Sequence, residues 1–241
     1  MALAALAAGV LSSNAQPVYS ANIVGYVNIP VTSGFNTIAN PLNNSIGNSL
    51  TNIIPPGPAF DGSVVSLWNG TTYVSYVIDS TFPTGVADPG DNFAVTPPVL
   101  NPGQAFFVNN TVGSNTVTLV GSVAIGGPGP GSVGLATNTL TSSPVQSFSA
   151  SIIPVGGGLA SALQFTNAAN PAAFDGCVVS VPHITGGIIT GFDVVIFDST
   201  FPTGFGDPGD NFAVPEPVIS VGKGFFFNNT LGSPVQWKQS F

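Results

Sequence analysis

The residues best suited to chemistry are carboxylates, and they recur. Asp79, Asp88 and Asp91 lie in the stretch DSTFPTGVADPGDNFAV, and Asp198, Asp207 and Asp210 lie at the same places in DSTFPTGFGDPGDNFAV. Asp61 and Asp175 match in the same way, within AFDGSVVS and AFDGCVVS. Of the 10 acidic residues only Asp193 and Glu216 have no counterpart, so the acids are placed by position rather than scattered for solubility. Two chemistries fit. Hard oxygen ligands of this kind hold Ca²⁺ when two or three carboxylates converge with carbonyls and water, which assigns Asp79, Asp88, Asp91, Asp198, Asp207 and Asp210 as candidate ligands. The spacing is not that of an EF-hand. Alternatively, D-P-G-D-N suits a type II turn with Pro and Gly at its central positions, and an Asp at its edge caps free backbone N–H groups. Paired carboxylates across a cleft also serve glycoside hydrolysis, but two identical short loops suit a scaffold better than an active site.

The remaining reactive inventory is small. There is no Arg; Lys223, Lys238, His183 and Cys177 complete it. His183 lies in a short insertion of the second copy and has no triad or ligand partner in the sequence; it reads as a solvated loop residue. Cys177 stands where the first copy has Ser63, with no basic neighbour to lower its pKa, and reads as a small buried side chain. No phosphate-binding, redox or metalloprotease motif is present, so the chain is expected not to be an enzyme and to need no cofactor other than the Ca²⁺ considered above. Trp68, Tyr73 and Tyr76 surround one hairpin; they are either cross-strand packing or an exposed platform on which sugar rings stack. The Phe pairs 60/174, 82/201, 93/212, 106/225 and 107/226 are expected in the core.

The elements that must position these residues are β-strands. Residues 79–113 and 198–232 align without a gap and are identical at most positions, and the likeness continues upstream after a five-residue insertion in the second copy. A duplication of this length is a repeated module rather than a solenoid. SVVSLWNGTTYVSYVID holds two β-rich runs around Asn69-Gly70, a strong hairpin signal. NIVGYVNIPV, QAFFVNN and NTVTLVGSV add short strands, with 30 Gly and 22 Pro between them. The expectation is an all-β fold of two tandem homologous β-sandwich or partly closed barrel modules, at 17–125 and 133–241, joined by a Gly/Pro linker at 126–132.

Residues 1–16 contain an apolar Ala- and Leu-rich run followed by small residues, the pattern of a secretory signal and too short for a stable membrane span. Only 5% of residues are charged, against roughly 25% in an ordinary soluble domain, and the net charge is −8. Nucleic acid and anionic membranes are therefore poor partners. A neutral Thr-, Ser-, Asn- and Gly-rich surface repels its own copies little.

The first copy opens with a G-Y-V-N strand and a G-F-x-x-I-A-N-P-L segment, at 25–28 and 34–42. It continues through a W-N-G hairpin at 68–70 and closes with L-x-P-G-x-x-F-F-V at 100–108. Together with the terminal QWKQSF, this layout resembles a group of secreted two-repeat β-proteins of environmental, verrucomicrobial-type bacteria. In SFSASIIPV the second copy departs from the I-A-N-P-L pattern. The resemblance implies secretion and a β fold and implies no catalytic residues. The resulting expectation is a secreted structural protein that self-assembles into extracellular fibres or a surface layer. Ile23, Val24, Tyr26, Val27 and Ile29 form a candidate strand for exchange between subunits. The alternative is an adhesive module that binds polysaccharide through aromatic stacking.

Overall fold

The computed structural model describes residues 24–91, 93–123, 135–140, 146–165, 171–210 and 212–240. The signal expected at 1–16, Ile23 and the linker at 126–132 lie outside them. The first half runs β1 (Val24–Val31), β2 (Gly34–Ala39), β3 (Leu42–Asn43), a one-turn helix α1 (Leu50–Ile53), β4 (Val64–Trp68), β5 (Tyr73–Ile78), β6 (Val86–Ala87), β7 (Ala105–Asn110) and β8 (Asn115–Val123). The second half runs β9 (Leu135–Leu140), β10 (Gln146–Ser149), β11 (Gly157–Gly158), a 3₁₀ turn at Pro171–Phe174, β12 (Val178–Thr185), β13 (Ile188–Phe197), β14 (Phe205–Gly206), β15 (Val218–Ile219), β16 (Phe225–Asn228) and β17 (Val235–Ser240). The fold is all-β, and every pairing is antiparallel. Two five-stranded sheets have corresponding orders, β2-β7-β4-β5-β6 and β10-β16-β12-β13-β14, accompanied by the smaller sheets β1-β8-β3, β9-β17 and β11-β15.

Alternation of side chains builds the first core. In β1 every second residue is buried, so Val27, Ile29 and Val31 face inward beside Val117 and Leu119 of β8. The candidate exchange strand is thus paired within its own chain, Val24 opposite Ser122 and Ile29 opposite Val117, while Val24 and Tyr26 point to solvent. A second core gathers Phe165, Phe174, Phe197, Phe225, Phe227 and Trp237. The two cores are not divided at the linker, because Ile152 and Ile153 pack into the first one.

The central strands β7 and β16 are buried on both faces. Phe106 and Val108 face the first core and Phe225 and Phe227 the second. Phe107 and Phe226 face the other way and meet Phe148, Ala39, Ala105 and Ala150 in a third cluster where the large sheets adjoin. This junction also seals sheet edges. The Ala39 N–H donates to the Gly222 carbonyl and the Ala150 N–H to the Gly103 carbonyl, at 2.8 and 2.9 Å. Gly34 and Gly187 meet backbone to backbone, both at positive φ, so that the Phe35 N–H reaches the Gly187 carbonyl at 2.7 Å. A Cβ on either glycine would strike the other segment's backbone, which reserves both positions for Gly.

Several expectations are corrected. Phe93 and Phe212 are not core; they are 71% and 70% exposed, carried out by the loop after D-P-G-D-N. His183 is exposed as expected but belongs to β12, at a register shift beside Ile184, not to a loop. The 68–73 hairpin closes through a four-residue loop in which the Asn69 carboxamide oxygen accepts from Thr71 and Thr72 N–H. The other long hairpin, β12–β13, closes through a two-residue turn, Gly186-Gly187, with both residues at positive φ. The I-A-N-P-L counterpart is S-A-S-I-I at 149–153, where Ser151 Oγ accepts the Ile153 N–H as Asn40 Oδ1 accepts that of Leu42.

Candidate functional site

The duplicated carboxylates serve turns. Asp79 Oδ1 accepts from the Thr81 N–H and hydroxyl at 2.8 and 2.6 Å, and Asp198 repeats this with Thr200 at 2.8 and 2.5 Å. Asp88 Oδ1 accepts from Gly90 and Asp91 N–H, and Asp207 from Gly209 and Asp210. Asp61 joins two turns, accepting from the Gly57 and Ser80 N–H groups and the Ser80 hydroxyl; Asp175 grips Ser199 in the same way. Four of the six candidate Ca²⁺ ligands, Asp79, Asp88, Asp198 and Asp207, therefore cap backbone donors of their own turns. Asp91 and Asp210 contribute their N–H groups and are exposed. No group of three or more His, Cys, Asp or Glu near enough to share a metal occurs among the described residues. Glu216, unpaired in the sequence, is a cap the repeat pattern could not reveal: it accepts from the N–H groups of Ala160 and Ser161.

These bonds set an acid limit. The Ser80 hydroxyl, against a smaller opposing effect of burial, and then the Ser80 and Gly57 N–H groups hold Asp61 below the ordinary 3.8. The Thr200 hydroxyl and N–H do the same for Asp198. For Glu216 burial pushes upward, but the bonds from Ser161 and Ala160 together outweigh it and hold the group below 4.5. A carboxyl whose folded pKa is depressed adds stability above its unfolded pKa and loses it as pH falls through the folded one. Melting temperature is therefore expected to hold from neutral pH to about 5 and to decline below about 4. Asp61→Ala is expected to lower stability by about 1 kcal/mol, read by urea titration at pH 7.

The aromatic platform expected at Trp68, Tyr73 and Tyr76 assembles only in part. Tyr73 and Tyr76 are three residues apart on β5 and so face opposite sides; Tyr76 packs against the first core. Trp68 and Tyr73 stay together, ring centroids 4.9 Å apart, and Trp68 Nε1 donates to the Gln146 carbonyl at 2.6 Å. Phe192 and Phe226 join them from the second half, forming an open groove of about 350 Å³ with Gln146 and Ser180 at its side. Burial pushes the Tyr73 phenol up. Neither Phe192 nor Phe226 was grouped with Trp68 on sequence grounds, because only the packing of the two sheets brings them there.

Elsewhere at the junction lies a cavity of about 450 Å³ lined by Phe35, Thr37, Pro182, His183, Ser220 and Lys223, among others. Lys223 Nζ donates to the Thr37 carbonyl at 3.0 Å, and burial holds its amine below the ordinary 10.5. Cys177 is fully buried, as expected, with Asn229 Oδ1 3.8 Å from its sulfur. No helix among the described residues is long and apolar enough to cross a membrane. Compared with protein-family models, curated proteins and solved structures, the chain matches none.

Proposed function

We propose that this chain is a secreted, non-enzymatic structural protein that assembles with its own copies into extracellular fibres or a surface layer. The observation that carries the reading is the paired exposure of apolar side chains at equivalent places in the two repeats: Phe93 with Phe212, and Val99 at 58% with Val218 at 70%. A folded chain does not leave a phenylalanine in water without cost, and here the same residue is left out twice. The 5% of charged residues provide little repulsion against contact between such loops. Two like patches on one subunit make it bivalent. Pairing first patch with first and second with second extends a row of subunits instead of closing a dimer. Exchange of β1 between subunits would preserve its register against β8 in trans and lock such a row.

The test is sedimentation velocity with negative-stain microscopy. Wild type is expected to grow into filaments or sheets as concentration rises, Phe93→Ser or Phe212→Ser alone to stop at dimers, and the double variant to remain monomeric. Monodisperse wild-type monomers at every concentration would overturn the reading. The groove around Trp68, Tyr73, Phe192 and Phe226 favours a second reading, a polysaccharide-binding adhesive module, because the half-exposed Tyr73 and Phe192 rings beside Gln146 and Ser180 suit sugar faces. Retention on immobilised polysaccharide that disappears with Tyr73→Ala distinguishes it from self-assembly.

A further inference from the structure

The residues that break the repeat are informative because the rest of the junction is built twice. Thr37 lies opposite Phe107, and Phe148 lies opposite Phe226. Phe107 and Phe226 occupy the same place in the two copies, so Thr37 and Phe148 are equivalents. Trp68 and Pro182 are equivalents by the A-F-D-G alignment, and Gln104 and Lys223 by the G-Q-A-F-F and G-K-G-F-F segments. At one of the two equivalent places the Trp68 ring packs edge-on against Phe226, which stacks on Phe148, and the Trp68 N–H ties down the Gln146 carbonyl beside the open groove of about 350 Å³. At the other, the smaller Pro182 and Thr37 line the 450 Å³ cavity, and no aromatic stack like that of Phe148 and Phe226 stands there among the described residues.

Into that cavity the second copy places Lys223. Its ammonium is half-buried, and its polar contact is the Thr37 carbonyl, which leaves donor capacity to spare. No acid lines the cavity, and Lys223 has no carboxylate partner among the described residues. A partly desolvated cation without a counter-ion disfavours the folded state, and the first copy shows that a neutral Gln serves the same position. In a chain with two lysines, retaining one here implies that something else supplies the negative charge.

We propose that this cavity binds a carboxylate-bearing ligand the size of a sugar ring, a uronic acid unit. Lys223 takes the carboxylate. The Ser220 hydroxyl and the His183 ring, also at the cavity wall, meet ring hydroxyls, and Phe35 with Pro182 covers the C–H face. A monoanion fits better than a phosphate: the cavity offers one ammonium and no guanidinium. The inference is independent of the self-assembly reading and of the groove around Trp68.

The experiment is titration of the full chain with glucuronate, galacturonate, glucose and inorganic phosphate, followed by NMR shifts and by melting temperature. A uronate is expected to bind at least about tenfold more tightly than glucose or phosphate. Lys223→Gln should remove that preference while melting no lower than wild type. Thr37→Phe, which puts at the cavity wall the ring of its equivalent Phe148, should abolish binding altogether. Equal affinity for glucuronate and glucose, tighter phosphate binding, or unchanged uronate binding in a folded Lys223→Gln protein would overturn the proposal. Assembly by sedimentation, run on the same variants, reads the other proposal separately, since neither substitution touches Phe93 or Phe212.

Discussion

Replacing Trp237 by Ala is expected to cost about 3–5 kcal/mol, a large share of the roughly 5–15 kcal/mol that holds a folded domain together. Trp237 is 1% exposed on β17, the strand that pairs with β9 to cover the second core. Its ring lies 4.8 Å from Phe165 and 5.7 Å from Phe225, and Phe165 in turn contacts Phe174, Phe197 and Phe227. Removing the indole leaves a void that neighbours held by their own strands fill poorly, so the loss exceeds the transfer energy alone. The loss of the N–H is a smaller matter. The Leu163 carbonyl it serves, at 2.8 Å, also accepts from Gln239 Nε2 at 3.1 Å and is not left orphaned. Trp237→Phe should therefore recover more than half of the loss. Urea unfolding followed by fluorescence of the remaining Trp68 measures the change at the junction, away from the substitution. A loss below about 1.5 kcal/mol for Trp237→Ala would mean that this core relaxes around the gap.

What could be read from the sequence was what local chemistry determines. The alternation in VGYVNIPV, the hairpin around Asn69-Gly70 and the capping competence of Asp79 and Asp198 each depend on a few adjacent residues. They were legible before any fold was known. The junction was not, because Phe107 meets Phe148 and Phe226 across long stretches of chain. One signal was available: Phe106-Phe107 and Phe225-Phe226-Phe227 are apolar on consecutive residues, so both faces of those strands must be covered, and one core covers only one face. Phe93 and Phe212 were misassigned for the opposite reason. Recurrence in both copies does not by itself mean burial, because a duplicated loop can present the same side chain outward twice. Tyr76 was misplaced by grouping aromatics by nearness in sequence when the two-residue period of a strand separates it from Tyr73.

The junction's part in stability is tested by Phe226→Ala. Phe226 is 4% exposed and stacks on Phe148 at 4.2 Å with the rings 8° from parallel. Phe107 and Trp68 lie 6.2 Å away from the first half and Phe192 5.9 Å away from the second. The truncation is expected to cost about 3–4 kcal/mol, similar to Trp237→Ala, but its character should differ. Trp237 belongs to one core, whereas Phe226 joins two sheets. Wild type should unfold in one cooperative transition, since the halves share the third cluster, the Gly34–Gly187 contact and the carbonyl bonds at Gly103 and Gly222. Phe226→Ala should separate it into two. It should also loosen the contacts that occupy the edges of β2 and β10, raising amide exchange at Ala39 and Ala150 before exchange in β4 or β12. A cycle with Phe107→Ala isolates the cross-junction share, expected at about 0.5–1.5 kcal/mol. A single transition retained in Phe226→Ala would place the cooperativity in the backbone contacts of Gly34, Gly187, Gly103 and Gly222. The aromatic stack would then be filler between halves that those contacts already hold together.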